Sequence, residues 1–255
     1  MNTDIKVPYA KIGTRSKTLV LLPGLFTRSL MSFVPAITEQ YKLFLDEYTI
    51  YFFDRIENPP QGYTLFDIAD DTLSAIEQLK ITEACVLGVS AGGMVAQIIA
   101  SKRPDLVKKL VLASTTSRVS HLTKKIISEW ATLAKSGELQ KLNQSFAQNV
   151  YTPDFYKKYE EAILANLNQS TPQDLMHFSI YADAVSTFDF TDQLNSIKAK
   201  TLIIHGNLDK LFSKTDSELI ASKTQVAILE FENYAHAVYD EAPDFLPKIF
   251  DWLQQ

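Results

Sequence analysis

The chain has 255 residues, 46% of them hydrophobic and 22% charged, with a formal net charge of −5; this is the balance of an ordinary soluble globular protein with a sizeable core. Mild acidity supplies no basic surface for nucleic acid or anionic lipid, so nucleic-acid partners are not expected. The amino-terminal MNTDIKVPYAKIG lacks the cationic start and apolar stretch of a secretory signal, and no later run reaches the length of a membrane span; a cytoplasmic protein with no membrane span is expected.

In chain order, apolar runs at Thr18–Leu22 and Thr49–Phe53 read as strands, and Leu65 to Leu79 reads as a helix with Ile68, Ala69, Thr72, Leu73 and Ile76 on one face. A buried strand follows at Ala84–Leu87. The lone Cys85 within it cannot form an internal disulfide and packs as a small apolar residue. Met94, Val95, Ile98 and Ile99 have the spacing of a helix face laid on a sheet, and Leu110–Ala113 is the next strand.

From about Thr116 to Ala199 no strand is expected. Helix-like segments HLTKKIISEWATLAKSG, GELQKLNQSFAQNV, PDFYKKYEEAILANL and PQDLMHFSIYADAV follow one another, punctuated by Gly and Pro. They read as a helical insertion over the sheet, with Trp130, Phe146, Phe155, Tyr156, Phe178, Tyr181 and Phe188 supplying apolar surface. Strands resume at Thr201–His205 and Val226–Phe231, and an amphipathic helix closes the chain. Alternating strands and helices call for a mainly parallel sheet covered on both faces. The expected division is an α/β core of residues 1–115 and 200–255 and a helical cap of residues 116–199.

The stretch ACVLGVSAGGMVAQ sets Ser90 between Gly88, Gly92 and Gly93, at a turn from strand to helix. Glycine permits the backbone conformations and close approaches that such a turn needs. Gly88–Val89–Ser90–Ala91–Gly92 fits G-x-S-x-G, a nucleophile elbow, although a serine that only caps the following helix would fit the pentapeptide too.

A serine nucleophile needs a base to take its proton and a third group to orient the base. Of the histidines, His121 and His177 fall in the insertion, and His205 ends a strand where it fixes a turn and points away from the site. His236 follows the last strand and precedes the final helix, at the strand ends where open α/β sheets place their sites. Asp209 in HGNLDKLFS follows the strand Thr201–His205 and suits the orienting role. Its neighbour Asp216 begins TDSELIASK and reads as an N-cap or first-turn residue. The order Ser90, Asp209, His236 is that of the α/β-hydrolases.

The segments VLLPGLF, YFFDR, LGVSAGGMVAQIIASKRPDLVKKLVLAS, TLIIHGNLD and YAHAVYDEAPDFLPKIFDWL together resemble a compact, cap-bearing α/β-hydrolase of the esterase and enol-lactonase kind over nearly the whole chain. The resemblance implies an α/β-hydrolase fold, a serine acyl-enzyme on Ser90, and an oxyanion hole built from the backbone N–H groups of Leu25 and Ala91. Two positions depart from the pattern: Pro23–Gly24 stands where such chains have His-Gly, and Ala235 replaces the glycine before the histidine.

The implied reaction is hydrolysis of a carboxylic ester, lactone or thioester of a small, partly apolar substrate. Acyl transfer or cofactor-free perhydrolysis by the same groups is the alternative, and a non-catalytic small-ligand receptor is a third reading. No histidine or cysteine cluster has metal-ligand spacing, and GVSAGG lacks the lysine and hydroxyl of a P-loop, so no metal or cofactor is called for.

Overall fold

The apolar runs form strands buried on both faces, as expected of a sheet with helices on either side. The computed structural model describes residues 5–224 and 226–255; residues 1–4, where the amino-terminal stretch read above begins, lie outside them. In chain order the elements are β1 (Tyr9–Ile12), β2 (Lys17–Leu22), α1 (Val34–Gln40), β3 (Tyr48–Phe53), α2 (Leu65–Gln78), β4 (Ala84–Val89), α3 (Ala91–Lys102) and β5 (Val107–Ala113). There follow α4 (His121–Lys135), α5 (Leu139–Val150), α6 (Pro153–Leu167), α7 (Pro172–Ser186), β6 (Lys200–Gly206), α8 (Lys214–Thr224), β7 (Ile228–Phe231), α9 (Val238–Glu241) and α10 (Phe245–Gln254).

Among the described residues the seven strands form one sheet in the order β1-β3-β2-β4-β5-β6-β7. All neighbours are parallel except β1, which runs antiparallel to β3 at the edge. Every residue of β3 and β4 is buried. The sequence reading did not include β1: YAKI is short and mostly turned to solvent, without a buried apolar run. It also opened β7 at Val226, whereas pairing with β6 begins at Ile228.

α2 starts at a capping box in which Thr64 and Asp67 exchange hydrogen bonds, and it buries the face read from its periodicity. One hydrophobic cluster joins α2, α3 and that face of the sheet to Ile127, Trp130, Phe146 and Phe178 of the later helices. A second fills the opposite face, where Phe245, Ile249 and Leu253 of α10 pack with Phe44, Tyr48 and Ile50.

Between β5 and β6 the chain forms α4 to α7 and a 3₁₀ turn at Thr191–Ser196. Ser120, Thr152 and Thr171 cap three of these helices through their side-chain oxygens. Trp130, Phe146, Phe178, Tyr181 and Phe188 are buried, while Phe155 and Tyr156 are only half-buried on α6. The two ends of the interval are laced together: Phe190 N–H donates to Ser117 O at 2.7 Å, Val119 N–H donates to Phe188 O at 3.0 Å, and Arg118 and Asp189 form an antiparallel bridge. Among the described residues no helix is long and apolar enough to cross a membrane.

Candidate active site

Ser90 is the single residue between β4 and α3, with φ 54° and ψ −121°. A positive φ is costly for a residue with a Cβ, and it is held here by the surrounding backbone. Ser90 N–H donates to Ala113 O at 2.9 Å, and Ser90 O accepts from the Thr115 hydroxyl at 2.7 Å. The flanking glycines serve close approach instead: a Cβ on Gly92 would lie 2.0 Å from Leu22 O, and one on Gly88 would lie 2.5 Å from Gly92 O. The strain therefore falls on the serine, which is lifted off the sheet end.

His236 lies in the loop between β7 and α9, and only 2% of it is exposed. Its Nε2 is 2.9 Å from Ser90 Oγ, and its Nδ1 is 2.8 Å from Asp209 Oδ2. With Nδ1–H donating to the carboxylate, Nε2 is left to accept the serine proton. Asp209, in the loop after β6, has a fully buried side chain whose Oδ1 accepts from Leu211 N–H at 2.8 Å and Phe212 N–H at 3.0 Å. These bonds fix the carboxylate plane, and the Phe212 ring packs edge-on against the imidazole with centroids 5.3 Å apart.

The Ala235 departure is accommodated without strain. Ala235 is buried and is not among the residues with positive φ, and on the other side of His236 the Ala237 N–H donates to Val150 O at 2.9 Å.

The structure thus brings Ser90, His236 and Asp209 together. Asp216 lies in the first turn of α8, where its carboxylate accepts from both the N–H and the hydroxyl of Ser213 at 2.7 Å and from the Thr116 hydroxyl at 3.0 Å. His205 is buried on β6, and burial lowers its pKa. His121 begins α4 at the surface, and His177 lines a separate cavity beside Asp54 and Arg55.

Leu25 and Ala91 border a chamber of about 20 Å³ with Ser90 and His236. Among the described residues, neither of their backbone N–H groups donates to a protein acceptor. The loop carrying Leu25 is anchored by a residue whose role the sequence reading missed: Asp54, 4% exposed at the end of β3, accepts from the Ser29 hydroxyl and Leu30 N–H, both at 2.7 Å. Arg55 adds bonds to Phe26 O at 3.1 Å and Arg28 O at 3.3 Å. The signal available was a carboxylate at the end of an otherwise apolar strand, in YFFDR.

The family described as the alpha/beta hydrolase fold matches residues 17–243. The chain belongs to that family. As an α/β-hydrolase it is similar to 3-oxoadipate enol-lactonase 2 of Acinetobacter baylyi, with 22% identity over 94% of this chain and 90% of that protein. Among solved structures, an α/β-hydrolase enzyme from a Medee basin deep-sea metagenome library superposes with a TM-score of 0.87 at 24% identity, covering 98% of this chain and 94% of that one. The enol-lactonase from Burkholderia xenovorans LB400 gives 0.85 at 19% identity, over 98% and 96% of the two chains. At these identities the structural likeness speaks for the α/β-hydrolase fold.

Proposed function

We propose that this α/β-hydrolase cleaves a carboxylic ester, lactone or thioester of a small, partly apolar substrate through an acyl-enzyme on Ser90. The observation that carries the reading is the unbroken relay from Ser90 Oγ through His236 to Asp209, at 2.9 and 2.8 Å. Its place among enol-lactonase and esterase relatives supports the same chemistry.

In this reading Ser90 Oγ attacks the carbonyl carbon while its proton passes to His236 Nε2, and Asp209 holds the imidazole and balances the charge it acquires. The carbonyl oxygen becomes an oxyanion facing the free N–H groups of Leu25 and Ala91. As the tetrahedral intermediate collapses, the bond to the leaving group breaks and His236 returns the proton to it. Water then attacks the acyl-serine, giving one proton to His236; as this second intermediate collapses the acyl–Oγ bond breaks, His236 returns the proton to Ser90 Oγ, and the acid departs. Residues 116–199 act as a cap over this site, with Ile127, Trp130, Phe146, Val150 and Val185 forming apolar walls beside Ser90.

An activated organophosphonate tests the nucleophile: one adduct on Ser90 by mass spectrometry, and none in Ser90→Ala, is the expected result. Label on another residue, or no label with a reactive probe, overturns it.

A further inference from the structure

A cavity of about 360 Å³ adjoins the serine chamber and shares Gly24, Leu25, Phe146 and Tyr239 with it. That volume accommodates a small organic group. Its walls are mainly apolar and aromatic, and Asp240 is the one charged side chain among the described residues that line it. The Tyr151 hydroxyl donates to Asp240 Oδ2 at 2.9 Å. Among the described residues Oδ1 has no hydrogen-bond donor, and no lysine or arginine forms an ion pair with this carboxylate. The neighbouring Glu241 is already engaged, accepting from Thr152 N–H at 3.0 Å and from the Thr152 hydroxyl at 2.6 Å.

Asp240 is an accessible side chain on the wall of this cavity, an anion without a counter-ion among the described residues. Burial, with a smaller push from Glu241, raises its pKa to about 6 against the pull of the Tyr151 bond. Tyr41, Tyr151 and Tyr239 around it are held protonated by burial and by its charge, so none competes as an anion. A neutral donor would satisfy Oδ1 but leave the charge uncompensated. A cation does both, and tyrosine faces attract it further.

We propose that this cavity binds a substrate whose acyl portion ends in a protonated amine, with Asp240 as its counter-ion and Tyr41, Tyr151 and Tyr239 as its walls. The proposal rests on the Ser90 reading, since the cavity selects what the serine attacks.

The test compares ethyl esters of a straight-chain ω-amino acid and of the alkanoic acid of matching length. Both use the same serine chemistry, so titrations common to the two cancel in the ratio of their kcat/KM values. At pH 7.5 the amino ester is expected to be preferred by about tenfold or more, as for a hydrogen bond between charged groups. The preference should fade as pH drops through about 6, because Asp240 is protonated while the amine stays charged. The titratable groups facing Asp240 are Tyr41, Tyr151, Tyr239 and Glu241; the protonated tyrosines do not change charge over this range, and Glu241, whose pKa burial also raises, is told apart by Asp240→Asn, in which any remaining pH course of the ratio belongs to Glu241. Asp240→Asn should bring the ratio near unity at every pH, and Tyr151→Phe should shift it. If Asp240→Asn fails to fold, the pH course of the wild-type ratio decides. A ratio of one or less at pH 7.5, or a preference surviving in Asp240→Asn, overturns the proposal. Phosphonate labelling of the same samples separates the two readings: labelled Ser90 without amine preference overturns this inference alone, whereas unlabelled protein inert to both esters removes the serine reading and this inference with it.

Discussion

Ser90 concentrates the logic of the site in one residue. Its positive φ is sustained because Gly92 lets the first turn of α3 press against Leu22 O, so the strained turn and the loop bearing Leu25 are locked together. Asp209 and Asp216 illustrate how position divides two similar carboxylates. Asp209→Asn should lower kcat by about 10⁴-fold by misorienting the imidazole, whereas Asp216→Asn, which weakens the start of α8, should cost about 1 kcal/mol of stability and leave turnover near wild type. Steady-state kinetics and urea denaturation of both variants separate the roles, and the opposite pattern would make Asp216 the orienting acid. Asp240 has a different energetic signature. Its pKa of about 6 lies above the ordinary 3.8, so its charge opposes folding above pH 6, to an extent that solvent reaching the accessible side chain screens, and the penalty is relieved as pH falls from 6 toward 3.8. Asp240→Asn should accordingly melt above wild type at pH 7.5, with the difference closing near pH 4 in thermal scans. The meeting of Ser90, Asp209 and His236 was legible because each follows an apolar run that ends on the same side of the sheet. Asp240 was not, because nothing in AVYDEAPD tells which of its carboxylates lines a cavity.

At the scale of elements, the loop after β2 decides where an oxyanion donor can stand. Pro23 carries no N–H, and a Cβ added to Gly24 would lie 3.1 Å from Ser90 Cβ; the proposed donor is the amide of Leu25, which lines the serine chamber. Leu25→Ala should keep most of the turnover because that N–H survives. Leu25→Pro should lose about 10²–10³-fold in kcat if one oxyanion donor is removed, measured on protein whose folding is checked by circular dichroism; a folded proline variant with native turnover excludes this amide as a donor. The strands of the parallel sheet were readable because burial on both faces demands continuous apolar runs. β1 escaped because an edge strand needs only its inner side apolar, and YAKI supplies a single buried residue, Ile12. The short 3₁₀ turn at Thr191–Ser196 escaped because it is too brief to show a hydrophobic period.

For the whole molecule, the question is whether the proposed cap and the core are separate bodies. One hydrophobic cluster passes from Val86 and Leu110 of the sheet through Met94 and Ile98 of α3 to Trp130 and Phe178. The Thr27 and Ser170 hydroxyls add a bond at 2.7 Å between the two parts. Shared burial of this kind predicts one cooperative transition. Calorimetry should show a single unfolding peak, and Phe178→Ala should lower it as a whole, at a cost of about 3–5 kcal/mol; a second, earlier peak would mean that the cap melts independently.

The lacing of Ser117–Val119 to Phe188–Phe190 carries one more consequence. A chain that departs and returns through adjacent backbone positions makes the sheet nearly insensitive to the length of what lies between, because loop length enters the closure entropy only logarithmically. The junction is a splice point: segments can be inserted or removed between the helices beyond it at little closure cost, while Trp130 and Phe178, which share their burial with the sheet, must be kept or replaced in kind.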